Sequence, residues 1–182
     1  RGLLFQEHRL MSWLTVEENV AFGVRQLAVD ARQKTVSKHI ALVGLAGFER
    51  LYPHQLSGGM AQRAALARAL APEPRVLLLD EPFGALDALT KMQMQDEILR
   101  IWDRERTTLL LVTHDIEEAV YLADRAIVMT GRPGAITDAI PITLPRPRDR
   151  TSAAFAAVRR EVYDALFARR SAAHSSSGSL HS

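Results

Sequence analysis

Leu56-Ser57-Gly58-Gly59-Met60-Ala61-Gln62-Arg63 and Val76-Leu77-Leu78-Leu79-Asp80-Glu81-Pro82 are the stretches from which the rest of the chain can be read. The first is a polar, glycine-containing turn that opens into an alanine-rich run. Ala61, Ala64, Ala65, Ala67 and Ala69 predict a helix slim enough to pack closely on its neighbours, and Pro72 and Pro74 stop it. The second stretch is an apolar run that ends in two adjacent carboxylates. Free N–H groups at a helix N-terminus favour an anion such as phosphate. Acidic residues at the end of a buried strand suit a hydrated Mg²⁺ and a polarised water. Together the two stretches point to a nucleoside triphosphate.

Working outward, residues 75–80 read as a strand covered on both faces, as in a parallel sheet. Residues 88–104 predict an amphipathic helix with Leu89, Met92, Ile98, Leu99 and Trp102 inward. Residues 107–113 predict a second strand, 115–123 a short helix with Asp115 as N-cap, and 125–129 a third strand. This alternation predicts an α/β fold: an open sheet with right-handed crossovers. Ligands of such sheets sit beyond the carboxyl ends of the strands, where Asp80, Glu81 and His114 fall.

Upstream, residues 2–5 read as the end of a buried strand and 6–13 as a polar loop with an exposed aromatic. Thr15 and Glu18 form a capping box for a helix to about Leu27, with Val16, Val20, Val24 and Leu27 on one face. A second helix over 32–43 ends at Gly44 or Gly47, and 52–55 is a loop. Downstream come a turn at 131–134, an edge strand or two over 136–144, and a linker, Pro145-Arg146-Pro147-Arg148. A helix over about 152–169 follows, and the serine-rich residues 171–182 read as a disordered tail.

The 182 residues suffice for one domain with a sizeable core. No run approaches the roughly 18 apolar residues of a membrane span. The absence of cysteine excludes disulfides and thiolate metal sites. The net charge is only +2, and no compact basic patch with interleaved aromatics appears, so no nucleic-acid partner is expected.

Taken together, these segments resemble the ATP-binding subunit of an ABC transporter. Residues 56–63 resemble the signature motif, usually LSGGQ, with Met60 in place of Gln. Leu77-Leu78-Leu79-Asp80-Glu81-Pro82 resembles Walker B, Gly84-Ala85-Leu86-Asp87 the D-loop, Val112-Thr113-His114-Asp115 the H-loop and Phe5-Gln6 the Q-loop. The motifs stand in the family's order, and family-like sequence continues to about Phe167. The resemblance implies an ABC ATPase core of P-loop NTPase type over about 1–150, lacking its N-terminal part. A helical subdomain would cover about 15–71 and the core sheet about 75–140, followed by a C-terminal helix over 151–170.

It also implies roles. Asp80 would hold Mg²⁺ through a water, Glu81 would orient or deprotonate the attacking water, and His114 would hydrogen-bond the γ-phosphate of ATP. Gln6 would sense both Mg²⁺ and the γ-phosphate. Ser57, Gly58 and Gly59 would bind the γ-phosphate of ATP held by a second ATPase subunit. Asp87 would contact that subunit, and it also suits the N-cap of the helix at Ala88; both can hold. Phosphoryl transfer needs mainly positioning and charge stabilisation, so scattered loops on a rigid sheet suffice.

The phosphate-cradling loop G-x-x-x-x-G-K-S/T is not among these residues. The only lysines, Lys34, Lys38 and Lys91, follow Gln33, Ser37 and Thr90. With Arg1 in first place, the expectation is that the sequence begins inside a longer protein. That protein would hydrolyse ATP, and these residues alone would be inactive.

Gln6-Glu7-His8-Arg9-Leu10-Met11-Ser12-Trp13-Leu14-Thr15-Val16 and Leu144-Pro145-Arg146-Pro147-Arg148-Asp149-Arg150 resemble importers of nitrate, sulfonates and taurine, with Ser12 where Pro is common. The implied setting is the cytoplasmic face of the cell membrane. There the subunit would be held peripherally by integral-membrane permease subunits and served indirectly by a substrate-binding protein. Trp13 and Leu14 are candidates for the permease contact or for ordinary core. A non-transport ABC ATPase and a truncated, non-hydrolysing interaction partner are the other readings.

Overall fold

The structure, a computed structural model, describes residues 2–4, 10–130 and 134–176. They fall into two compact units, Arg1–Thr113 and His114–Ser182.

In the first unit, β1 (Gly2–Leu4), β2 (Val76–Asp80) and β3 (Thr108–Val112) form a parallel sheet in the order β1-β2-β3. Leu3 stands beside Leu78, and Leu78 beside Leu110. The helices are α1 (Val16–Phe22), α2 (Val29–Leu42), α3 (Gly58–Leu70) and α4 (Ala88–Glu105). Leu66 and Leu70 of α3, with Ile98, Ile101 and Trp102 of α4, gather around Leu77 and Leu109 on one face of the sheet. The other face is open among the described residues: Leu110 is 51% exposed and Val112 49%. This corrects the expectation that β2 is covered on both faces. An apolar run announces two faces worth burying, but the helices described here cover only one.

The capping box of α1 forms as expected. The Thr15 N–H donates to Glu18 Oε2 at 2.8 Å and the Glu18 N–H donates to Thr15 Oγ1 at 3.3 Å. The remaining first-turn donors are met by the chain at 49–51, with Val16 N–H on the Leu51 carbonyl and Glu17 N–H on that of Glu49. α1 ends at Phe22 rather than near Leu27. A Cβ on Gly23 would lie 2.7 Å from the Arg68 carbonyl oxygen, so the chain there presses against α3 and turns. Val16, Val20 and Val24 are still buried, whereas Leu27 is exposed. α2 begins at Val29, three residues before the expected start, and the chain leaves it through Gly44 at φ +69°. In α4 the buried stripe is Met94, Ile98 and Ile101, while Leu89 and Met92 are exposed, so burial begins a turn later than expected.

The second unit holds α5 (Ile116–Leu122), β4 (Arg125–Thr130), β5 (Ala135–Pro141) and α6 (Ala153–Ser176). Among the described residues β4 is not a third strand of the parallel sheet; it pairs antiparallel with β5 in a two-stranded ribbon. Ala126, Val128, Ile140 and Ile142 are buried, as are Phe155 and Val162 of α6. α6 runs past Arg169, so 171–176 are helical rather than tail; 177–182 lie outside the described residues, as do 131–133 of the expected turn.

The stretch read as a linker is an anchor. Arg148 is 6% exposed, and its Nη1 donates to the carbonyls of Val120, Tyr121 and Ala123 at 2.7, 3.0 and 2.7 Å. Its Nε and Nη2 donate to Leu144 and Ile142, each at 3.3 Å. Arg146 donates to the Leu122 carbonyl at 2.6 Å and pairs with Asp124. The two arginines thus take the carbonyls of four successive residues at the end of α5, the groups a helix leaves unpaired. Asp115 caps the other end, accepting from the Glu117 N–H at 2.8 Å. A seven-residue helix has little stability of its own, so both ends matter. Burial, then the neighbouring Arg146 charge, pulls the Arg148 guanidinium down to about 10, and it stays charged at neutral pH.

Candidate functional site: a helix N-terminus and a strand-end carboxylate pair

A short turn, Pro53–Gln55, delivers the chain to Ser57, the extended N-cap of α3. Ser57 Oγ accepts from the Met60 N–H at 3.3 Å, and the Ser57 carbonyl accepts from the Ala61 N–H at 2.9 Å. The N–H groups of Gly58 and Gly59, in the first turn, have no acceptor within the helix. No acidic residue stands in that turn, so the positive end of the helix dipole is not offset. Ser57 and Gly58 are exposed. A Cβ on Gly58 would meet only Leu86 Cδ2, at 3.7 Å, whereas one on Gly59 would lie 2.8 Å from Thr90 Cγ2. Gly58 therefore has open space, and Gly59 is small because α4 passes close by.

β2 ends at Asp80, which is exposed. Glu81 is half-buried in the left-handed region at φ +43°, a conformation that costs a non-glycine residue about 1 kcal/mol or more. It is held from both sides: its N–H donates to the Val112 carbonyl at 2.9 Å, and its carbonyl accepts from the Gly84 N–H at 3.2 Å. Pro82 and Phe83 are buried beneath it. Asp87 caps α4, its Oδ1 accepting from the N–H groups of Leu89 at 3.1 Å and Thr90 at 3.0 Å. The Thr90 hydroxyl first, then the Thr90 N–H, holds this carboxyl below its usual range.

Ser57, Gly58, Gly59, Asp80, Glu81 and Asp87 thus all lie in the first unit, at the start of α3, the end of β2 and the loop between β2 and α4. His114 is exposed and opens the second unit, two residues after β3 and one before the Asp115 cap. Phe5 and Gln6 lie outside the described residues. Sequence reasoning missed Gln62. It is 0% exposed, and its Nε2 donates to the Pro82 carbonyl at 2.8 Å, tying the second turn of α3 to the residue after Glu81. Its one signal was a polar residue inside an alanine-rich stripe.

Among the described residues no group of three or more His, Cys, Asp or Glu side chains could hold a metal. Mg²⁺ bound through one carboxylate, waters and phosphate oxygens needs no such group, and an exposed Asp80 at a strand end fits that donor set.

The family model for ABC transporters matches residues 1–84. An ABC transporter ATP-binding protein of Methanocaldococcus jannaschii is 49% identical over 168 residues, 91% of this chain and 63% of that protein. The aliphatic sulfonates import ATP-binding protein SsuB of Bacillus subtilis is 51% identical over 162 residues, 89% of this chain and 63% of its own length. The chain thus spans about 63% of the length of these curated relatives. Among solved structures, cbiO1 of Clostridium perfringens, part of an ABC transporter complex, superposes with a TM-score of 0.71 at 28% identity, over 78% of this chain and 57% of that one. A dimeric ATP-binding cassette bound to ADP and Pi superposes with a TM-score of 0.65 at 30% identity, over 79% of this chain and 63% of that one. The motifs, the fold and these relatives agree: the chain belongs to the ABC transporter family, as part of an ATP-binding subunit.

Proposed function

We propose that the protein carrying these residues hydrolyses ATP to drive an importer of a small anion, an aliphatic sulfonate or a close chemical relative. The observation that carries this reading is that the first unit holds both a helix N-terminus with no acidic residue in its first turn, at Ser57–Gly59, and two adjacent carboxylates at a strand end, Asp80 and Glu81. The sulfonate importer relatives, at about half identity, support the substrate class. When bound with the nucleotide, Mg²⁺ neutralises developing phosphate charge, and Asp80 would hold it through water. Glu81 would orient and deprotonate the attacking water. His114 and Gln6 would meet the γ-phosphate. The N–H groups of Gly58 and Gly59 would face phosphate held by a second ATPase subunit, with Asp87 at the same interface. Residues 1–182 contain no Gly-Lys pair, so the phosphate-cradling loop is not among them, and on this reading these residues alone would not hydrolyse ATP.

No helix among the described residues is long and apolar enough to cross a membrane. The importer relatives, rather than that absence, support setting the subunit against permease partners at the cytoplasmic face. Trp13, 73% exposed, is the side chain most available for that contact. Its loop is set by Asn19, whose Nδ2 donates to the carbonyls of Met11, Leu14 and Thr15 at 3.1, 3.0 and 2.9 Å. Trp13→Ala should leave unfolding unchanged and weaken co-purification with the permease by roughly tenfold, the loss of one exposed aromatic anchor. Undiminished assembly would remove Trp13 from the interface.

Gly58→Asp in the complete protein tests the site itself. The new side chain has room, and a carboxylate in the first turn favours the helix, so the fold is expected to be at least as stable. It places a negative charge where phosphate would sit. ATP turnover should fall roughly 10- to 100-fold, a few kcal/mol of repulsion. Wild-type turnover from this variant would show that the N-terminus of α3 does not face phosphate.

A further inference from the structure

We propose that Gln62 is a positioning residue that links the phosphate-facing turn of α3 to Glu81; this rests on the ATPase reading above. Gln62 is the one amide in the buried stripe of α3, where Ala61, Ala64, Ala65 and Leu66 surround it in sequence. An amide fully out of water must be matched, and Gln62 Nε2 meets the Pro82 carbonyl at 2.8 Å. Pro82 has no N–H and a fixed φ, so its carbonyl is the group by which this point of the loop can be held. Glu81, immediately before it, sits at φ +43°, outside the conformations its side chain prefers.

Hydrogen bonds from different elements hold the backbone at Glu81 and Pro82. β3 provides the Val112 carbonyl, the loop itself provides the Gly84 N–H, and α3 provides Gln62. Of these, the Gln62 bond comes from the helix whose first turn, Ser57–Gly59, is read as facing phosphate. A shift of that turn toward phosphate is carried through a short, buried hydrogen bond to the residue next to the general base. Gln62 touches neither phosphate nor water in this scheme. It acts through Glu81, by keeping the carboxylate aimed when α3 is engaged. Misplacing a reacting group by about 1 Å costs up to a hundredfold in rate.

The test uses the complete protein and single-turnover ATP cleavage, with Gln62→Leu made in the unsubstituted and Glu81→Gln backgrounds. Acting through Glu81, Gln62→Leu lowers cleavage about tenfold with KM for ATP unchanged in the first background, and less than twofold in the second. A merely structural role lowers both by the same factor, and that result overturns the proposal. Gln62→Glu keeps the test decisive if the leucine variant folds poorly. Burial raises the introduced carboxyl above its usual range. While protonated it donates to the Pro82 carbonyl as the amide does; ionised, it repels it. Its cleavage should approach the unsubstituted rate at pH 6 and fall as pH rises to 8, relative to the unsubstituted protein. A flat ratio across that range overturns the link. No cleavage by the unsubstituted protein would overturn the ATPase reading, and this proposal with it.

Discussion

Glu81→Gln in the complete protein is expected to lower steady-state ATP turnover by about three orders of magnitude, the scale of a lost general base. The substitution is nearly isosteric, and an amide cannot accept the proton of the attacking water. The contacts that hold the residue are made by its backbone: its N–H on the Val112 carbonyl, its carbonyl on the Gly84 N–H. Replacing the side chain leaves both intact, so thermal unfolding should be unchanged and nucleotide binding retained. A variant that binds but does not turn over assigns the loss to chemistry. Unchanged turnover, measured by phosphate release, would take Glu81 out of the mechanism.

Arg148→Ala is expected to destabilise the second unit by about 3 kcal/mol, because it leaves several buried carbonyls without a donor. Five hydrogen bonds are lost, three of them to the end of α5. Arg148→Lys should recover only part, since one ammonium cannot span acceptors on α5 and on both Ile142 and Leu144. Amide hydrogen exchange of α5 and of β4 should accelerate accordingly. A change under about 0.5 kcal/mol would show that water replaces the guanidinium at no cost, as it does at an ordinary surface site.

The elements most legible in the sequence are those whose signals are local. Thr15 with Glu18, Ser57 before two glycines, Asp87 and Asp115 each announce a helix start within four residues, and each forms its cap in the structure. The apolar runs at 76–80 and 108–112 are strands in parallel register. What the sequence hid depends on distant partners. Periodicity could not show that α1 stops at Gly23, because the cause is the Arg68 carbonyl of α3. Nor could it tell that Leu89 and Met92 stay exposed while Met94 packs, since the α4 pattern admits both faces. β4 reads as one more sheet strand, but its partner is β5, the next strand along the chain, which composition alone does not reveal.

The site divides in the same way. Asp80, Glu81, Asp87 and the Ser57–Gly59 turn stand out as candidates because short motifs place polar groups at element ends. Gln62 does not, because a buried amide reads from sequence like any polar residue; only its 2.8 Å contact with Pro82 marks it. Arg146 and Arg148 read as linker residues because alternating Pro and Arg resemble an exposed extended segment. Their acceptors at the end of α5 lie more than twenty residues back in the chain.

Phosphate release from ATP by the complete protein and by residues 1–182, followed side by side as Mg²⁺ is titrated, tests the central claim most directly. The account predicts Mg²⁺-dependent turnover by the complete protein and none by the 182 residues alone. A complete protein that binds ATP but releases no phosphate at any Mg²⁺ concentration, or turnover by residues 1–182 alone, would contradict it.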